Sequence, residues 1–225
     1  MSIRTYILKL LFFQISREEL FQLNSKHLIV GLIGTWIVGM GRYWDDPGAH
    51  ILQHLGLGSV IYIFGLSLLI WLVIKPYFVE KWTYMKVLSF VSLTSFPAIF
   101  YAIPVEMIFS METSASINAW FLAIVAAWRL GLLYFFLRRF TGLGQGYILL
   151  GTLLPVCAII AILTALNLER AVFNIMGGIR ENSSKDTAYF ILVALTFLSS
   201  FAVGPLLLGY FYAIFRRWKK VKKKD

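Results

Sequence analysis

The sequence predicts an all-α fold: a polytopic bundle of about six transmembrane helices with both termini cytoplasmic. Three observations carry that expectation. The chain is 59% hydrophobic with a mean hydropathy of +0.77, far above the balance of a soluble domain. Its apolar runs are long enough, at 1.5 Å rise per residue, to cross or nearly cross a ~30 Å hydrocarbon core. Its basic residues also alternate between dense and sparse from one connection to the next.

Taken in order, residues 1–26 read as a cytoplasmic lead-in. Ile3, Ile7, Leu10 and Leu11 alternate with Arg4 and Lys9, which suits a helix lying in the interface. Ser16 followed by Glu19 matches a capping box that opens a short second helix, Arg17 to Leu23. The first span is expected over 28–44, where Gly31, Gly34, Gly39 and Gly41 make a thin helix that neighbours can approach closely, and Tyr43 and Trp44 form its interfacial belt.

The second span, 55–74, stops at Lys75 and Pro76. The third, 87–109, contains Pro97 and Pro104 and is expected to be kinked or broken. The fourth covers 117–137, and the turn after Arg138 and Arg139 leads to the fifth, 147–168. A polar loop, 169–187, carries an Asn182-Ser183-Ser184 glycosylation sequon. The sixth span, 188–215, ends in a polybasic tail, 216–225.

On this layout 16 of the 21 Lys and Arg fall on the side of the termini, four fall opposite, and Arg129 lies within a span. That asymmetry puts both termini in the cytoplasm. The net charge of +10 therefore belongs to topology, and nucleic acid is not an expected partner. Membrane lipids are, with anionic headgroups at the tail. Cys157, the single cysteine, lies inside a span, so no internal disulfide can form. No zinc spacing, P-loop or dinucleotide fingerprint is present, and no cofactor is strongly implied.

The fourth span carries the most unusual group. Ala115, Ala119, Ala123, Ala127 and Gly131 recur every fourth place, a small-residue stripe suited to close helix packing. Arg129 points away from that stripe and sits ~12 Å from the Leu137 end, too deep to snorkel completely. An arginine at such a depth costs roughly 2.5–3.5 kcal/mol, so a partner inside the bundle is expected.

Glu106, the acid within a span, is the obvious choice. In a straight hairpin centred near Thr113, however, Arg129 lies roughly 13 Å deeper than Glu106. The expected acceptors are instead the hydroxyls of Thr35, Ser67, Thr94, Ser95, Ser199 and Ser200, with carbonyls freed by Pro97, Pro155 and Pro205.

The first outer loop supplies a second set of candidates: Arg42, Asp45, Asp46, His50 and His54. The two histidines are four apart, so on a helix they share a face and can share a metal, with the aspartates completing a site. Glu106 and Arg42 lie on the same side of the membrane as this loop. No catalytic residue is assigned.

The sequence thus suggests a non-enzymatic accessory, assembly or organising protein of the inner (plasma) membrane, acting through binding to a membrane protein partner or a second copy. The alternatives are a small transporter or channel using Arg129 and the proline-interrupted helices, and a membrane enzyme with an outer-loop Asp/His site.

Overall fold

The computed structural model describes residues 2–44, 48–168 and 187–222. It is all-helical, with no strand among the described residues. Nine α-helices follow one another among the described residues: α1 Ile3–Leu11, α2 Arg17–Phe21, α3 Ser25–Gly41, α4 Ile51–His54, α5 Leu57–Ile74, α6 Tyr84–Leu93, α7 Met111–Thr141, α8 Gln145–Ala165 and α9 Thr187–Val221. Three 3-10 segments interrupt them, Lys75–Tyr77, Phe96–Ala102 and Val105–Met107.

Among the described residues, five segments are long and apolar enough to cross a membrane: Leu57–Tyr77, Tyr84–Ala102, Ser116–Thr141, Gln145–Ala165 and Phe190–Val221. α3, at 17 residues or ~26 Å, falls just short of that length and corresponds to the expected first span.

The local signals explain where these elements begin. Ser16 Oγ accepts the Glu19 amide at 3.2 Å while Glu19 Oε2 accepts the Ser16 amide at 2.8 Å, the reciprocal capping box that opens α2. Asn24 caps α3 by accepting from the Lys26 amide. Gly142, at φ 64°, closes α7 in the left-handed conformation.

The third span is broken, as its prolines demand. α6 ends at Leu93, and the chain continues as the tighter 3-10 segment through Pro97 before turning again at Pro104. Inside the bundle the span remains saturated, because hydroxyls take the carbonyls. Ser89 donates to Met85, Ser92 to Ser89 and Thr94 to Val91, at 2.8–2.9 Å.

This polar span survives in a membrane because protein surrounds it. In its most apolar window 61% is buried, against 6–33% for the other four, and it packs on α3 and α5. α3 can come that close because it is glycine-faced: a Cβ at Gly31 would run into the Ser92 side chain, and one at Gly34 into the Phe96 ring at 2.5 Å.

Two expectations change. The small-residue stripe is not the packing seam of α7. Ala119 is buried but Ala127 is exposed, and the buried side is built from Leu122, Val125, Leu132, Leu133, Phe136, Leu137 and Phe140. Residues spaced by four advance about 40° per step around a helix, so the stripe rotates off the buried face within three steps.

The lead-in, in turn, is folded into the bundle. Tyr6, Leu10, Ile15 and Leu20 belong to the main core, which also holds Ile74, Tyr77, Phe90, Phe136 and Phe140. Phe90 stacks on Phe136 at 4.0 Å, and Trp82 tilts against Phe136 and meets Phe140 edge-on. That core occupies the end of the bundle bearing the basic connections. α9 is pinned to the same end, with the Tyr210 hydroxyl donating to the Val73 carbonyl and Arg217 Nε to that of Tyr77.

Candidate functional site

The opposite end of the bundle brings together Arg42 and Arg129, the two arginines singled out by sequence. Arg42 follows the last turn of α3 as its C-cap. Two contacts set it beside the third span: the Trp44 indole donates to the Ala102 carbonyl at 3.0 Å, and Gly41 lets Ala102 come so near that a Cβ there would sit 3.0 Å from it. The Arg42 guanidinium then lies over the ring of Tyr101 at 4.7 Å and that of Tyr43 at 5.7 Å.

One turn below, Val38, Ala98 and Val125 form a small apolar cluster that joins α3, the 3-10 segment and α7, with Tyr101 packed against it. Arg129 lies one turn beyond Val125 on α7, with its guanidinium 6.0 Å from the Tyr62 ring of α5. It is close enough to act electrostatically on both Arg42 and Tyr101. The result is two cations within electrostatic reach of each other, one over Tyr101 and the other beside Tyr62, which is exposed on the outer surface of the bundle.

Arg42 is incompletely satisfied. Its Nε and Nη2 are buried and have no hydrogen-bond partner among the described residues. Arg129 is half-buried and makes no hydrogen bond or ion pair among the described residues.

The hydroxyl layer expected to serve Arg129 is engaged elsewhere. Thr35 donates to the Gly31 carbonyl and shares a 2.6 Å hydrogen bond with Ser95, Ser67 donates to Ile63, and Ser200 donates to Thr196. Hydroxyls in a helix satisfy the carbonyl one turn back more easily than they reach a neighbour's side chain.

No hydrogen bond or ion pair joins the other sequence candidates to this pair among the described residues. Glu106 sits in the 3-10 segment Val105–Met107, and its side chain lies outside the described part of the structure, as do Asp45 and Asp46 and the sequon at Asn182. His50 is the extended N-cap of α4, with φ −65° and ψ 152°, and only His54 is within that four-residue helix. The two rings therefore do not share a helical face, the premise for a bidentate metal pair. No group of three or more His, Cys, Asp or Glu able to hold a metal occurs among the described residues.

Tyr62 and Tyr101 were not legible as site residues. Aromatic side chains are dense throughout this sequence, and nothing in the spacing of these two separates them from lipid-facing rings.

No protein-family model, curated protein or solved structure matches the chain. The functional reading therefore rests on the geometry alone. Two guanidinium groups with tyrosine neighbours and unfilled donors can bind an anion, since arginine presents N–H groups in a planar fork suited to phosphate and carboxylate.

Proposed function

We propose that the protein is a multi-pass integral membrane protein of non-enzymatic accessory, assembly or organising type that acts through binding. Arg42 and Arg129 take an anionic group, a phosphate or carboxylate borne on a lipid or small amphiphile. The observation that carries this reading is the pair of buried donors on Arg42, Nε and Nη2, left without an acceptor among the described residues. An uncompensated buried cation is destabilising, and an anion that fills those donors reverses the penalty.

Exposure of Tyr62 beside Arg129 favours entry from the lipid side. With the topology read from the basic residues, the site opens toward the outer leaflet of the inner (plasma) membrane, and the polybasic tail meets anionic headgroups on the other side. A membrane protein partner or second copy completes the accessory role.

A second reading, transport, is favoured by the break in the third span, which puts 3-10 backbone and Tyr101 next to Arg42. Native mass spectrometry of protein extracted gently from its own membrane tests the binding reading. One defined anionic ligand should remain on the wild type and be lost from both Arg42→Met and Arg129→Gln. An unchanged complement of bound molecules in both variants defeats it. Ligand-dependent anion flux in proteoliposomes separates transport from an accessory role.

A further inference from the structure

A second gathering of charge lies at the core end of the bundle, away from the arginine pair. α2 carries Arg17 at its first position and Phe21 one turn later, with the guanidinium 5.3 Å over that ring. Lys81, from the loop before α6, lies 5.2 Å from the same ring, and Lys86, from the first turn of α6, lies 5.4 Å from it. Lys86 also lies 5.5 Å from Phe140, which meets Phe21 edge-on at 4.9 Å. Three cations from three elements thus converge on one aromatic platform, within about one Debye length (~10 Å) of each other.

Among the described residues, no ion pair neutralises Lys81 or Lys86. Lys81 acts electrostatically on Lys86, so two like charges are held together. Among the described residues the single ion pair is Lys9 with Glu19, which leaves Lys81 and Lys86 unpaired although Glu80 adjoins Lys81 in sequence. Glu18 lies within electrostatic reach of Arg17. Arg17 also stands beside the end of α7, since a Cβ on Gly142 would be 3.7 Å from its Nη2, where helix carbonyls carry partial negative charge.

The two lysines have no such compensation. Lys81 is moreover held at φ 58°, a conformation that residues other than glycine adopt sparingly.

Like charges packed onto rings repel one another unless an anion sits among them. A phosphate offers several acceptor oxygens to converging Lys and Arg, and basic pockets between helices on the cytoplasmic side are the chemistry of headgroup binding. The charged ends stand over Phe21 and Phe140, with Arg17 and Lys81 exposed and Lys86 half-buried. We infer that Arg17, Lys81 and Lys86 form a phosphate site at the cytoplasmic membrane surface, occupied by the headgroup of an anionic lipid.

The test is native mass spectrometry of the full-length protein in detergent, titrated with phosphatidylglycerol, with phosphatidylcholine and, separately, with inorganic phosphate. Binding of phosphatidylglycerol should weaken ~100-fold in Arg17→Gln/Lys81→Gln/Lys86→Gln, from the loss of three charges near an anionic lipid. Both proteins, with and without the three substitutions, are compared on an Arg42→Met background, which removes any lipid held by the outer arginine pair and leaves this site as the one titrated. If the triple variant unfolds, Lys81→Gln alone, at an exposed loop position, should still weaken binding several-fold.

A shift with inorganic phosphate alone, lost in the same variants, assigns the phosphate site to a soluble phosphate instead of a lipid. Equal retention of phosphatidylglycerol by wild type and variants, or equal retention of phosphatidylcholine and phosphatidylglycerol by the wild type, overturns the proposal.

Discussion

The indole Nε1 of Trp128 donates to the main-chain carbonyl of Leu11 at 2.9 Å, across 117 positions of sequence. Leu11 is the last residue of α1, where a helix carbonyl has no intrahelical donor. The bond therefore anchors the N-terminal segment to the middle of α7. Phe13 reinforces it by packing edge-on against Phe135 at 5.6 Å. Trp128→Phe keeps most of the apolar surface and removes the donor, leaving that carbonyl unsatisfied at a cost of about 1–3 kcal/mol. Limited trypsinolysis should then cut at Lys9 faster than in the wild type while the rest of the chain stays intact.

Glu19 holds a second latch on the same segment. It accepts Lys9 Nζ at 2.6 Å and the Ser16 amide, and these bonds, the lysine's foremost, hold its carboxyl below the ordinary 4.5. A depressed carboxylate pKa stabilises the fold at pH values above the unfolded-state value and loses that contribution as pH falls through the folded one. The melting temperature of the wild type should decline below about pH 4.5, and Glu19→Gln should lower it at neutral pH while flattening the acid limb. Parallel acid limbs in the two proteins would exclude the latch.

Close approach of α3 and α6 depends on the missing Cβ of Gly31. Gly31→Ala must displace the Ser92 hydroxyl, which donates to the Ser89 carbonyl, and overpacking of this kind costs about 1–3 kcal/mol. Gly65→Ala, inside α5 with nothing within 4 Å of the added carbon, should cost no stability and gain up to about 1 kcal/mol from helix propensity. Thermal unfolding in one detergent compares the two directly.

Stability and binding should part company at Arg42. Arg42→Met removes a buried cation with two unfilled donors, so the ligand-free variant should melt no lower than the wild type. In an Arg17→Gln/Lys81→Gln/Lys86→Gln background, it should also remove whatever stabilisation an added anionic lipid still confers. A ligand-free melting temperature several degrees lower would mean that the guanidinium has a structural partner in the fold.

Helical class and the approximate spans could be read from the chain because apolar run length, proline position and the distribution of Lys and Arg are one-dimensional properties. The bilayer reads them almost independently of tertiary contacts. The capping box at Ser16 and Glu19 and the break in the third span were legible for the same reason: each depends on bonds among a few neighbouring residues. Arg42 and Arg129 also stood out by residue type alone.

Their relationship did not. Whether Arg129 meets a hydroxyl layer, an acid or another arginine is decided by how α3, the Phe96–Ala102 segment and α7 dock. Helices in a membrane dock by shape and leave little trace in composition. The same holds for the cations of Arg17, Lys81 and Lys86, which share one phenylalanine only because three separate elements end at the same place. The sequence by itself determined which groups are costly to bury in lipid, and the tertiary structure alone decided which of them meet.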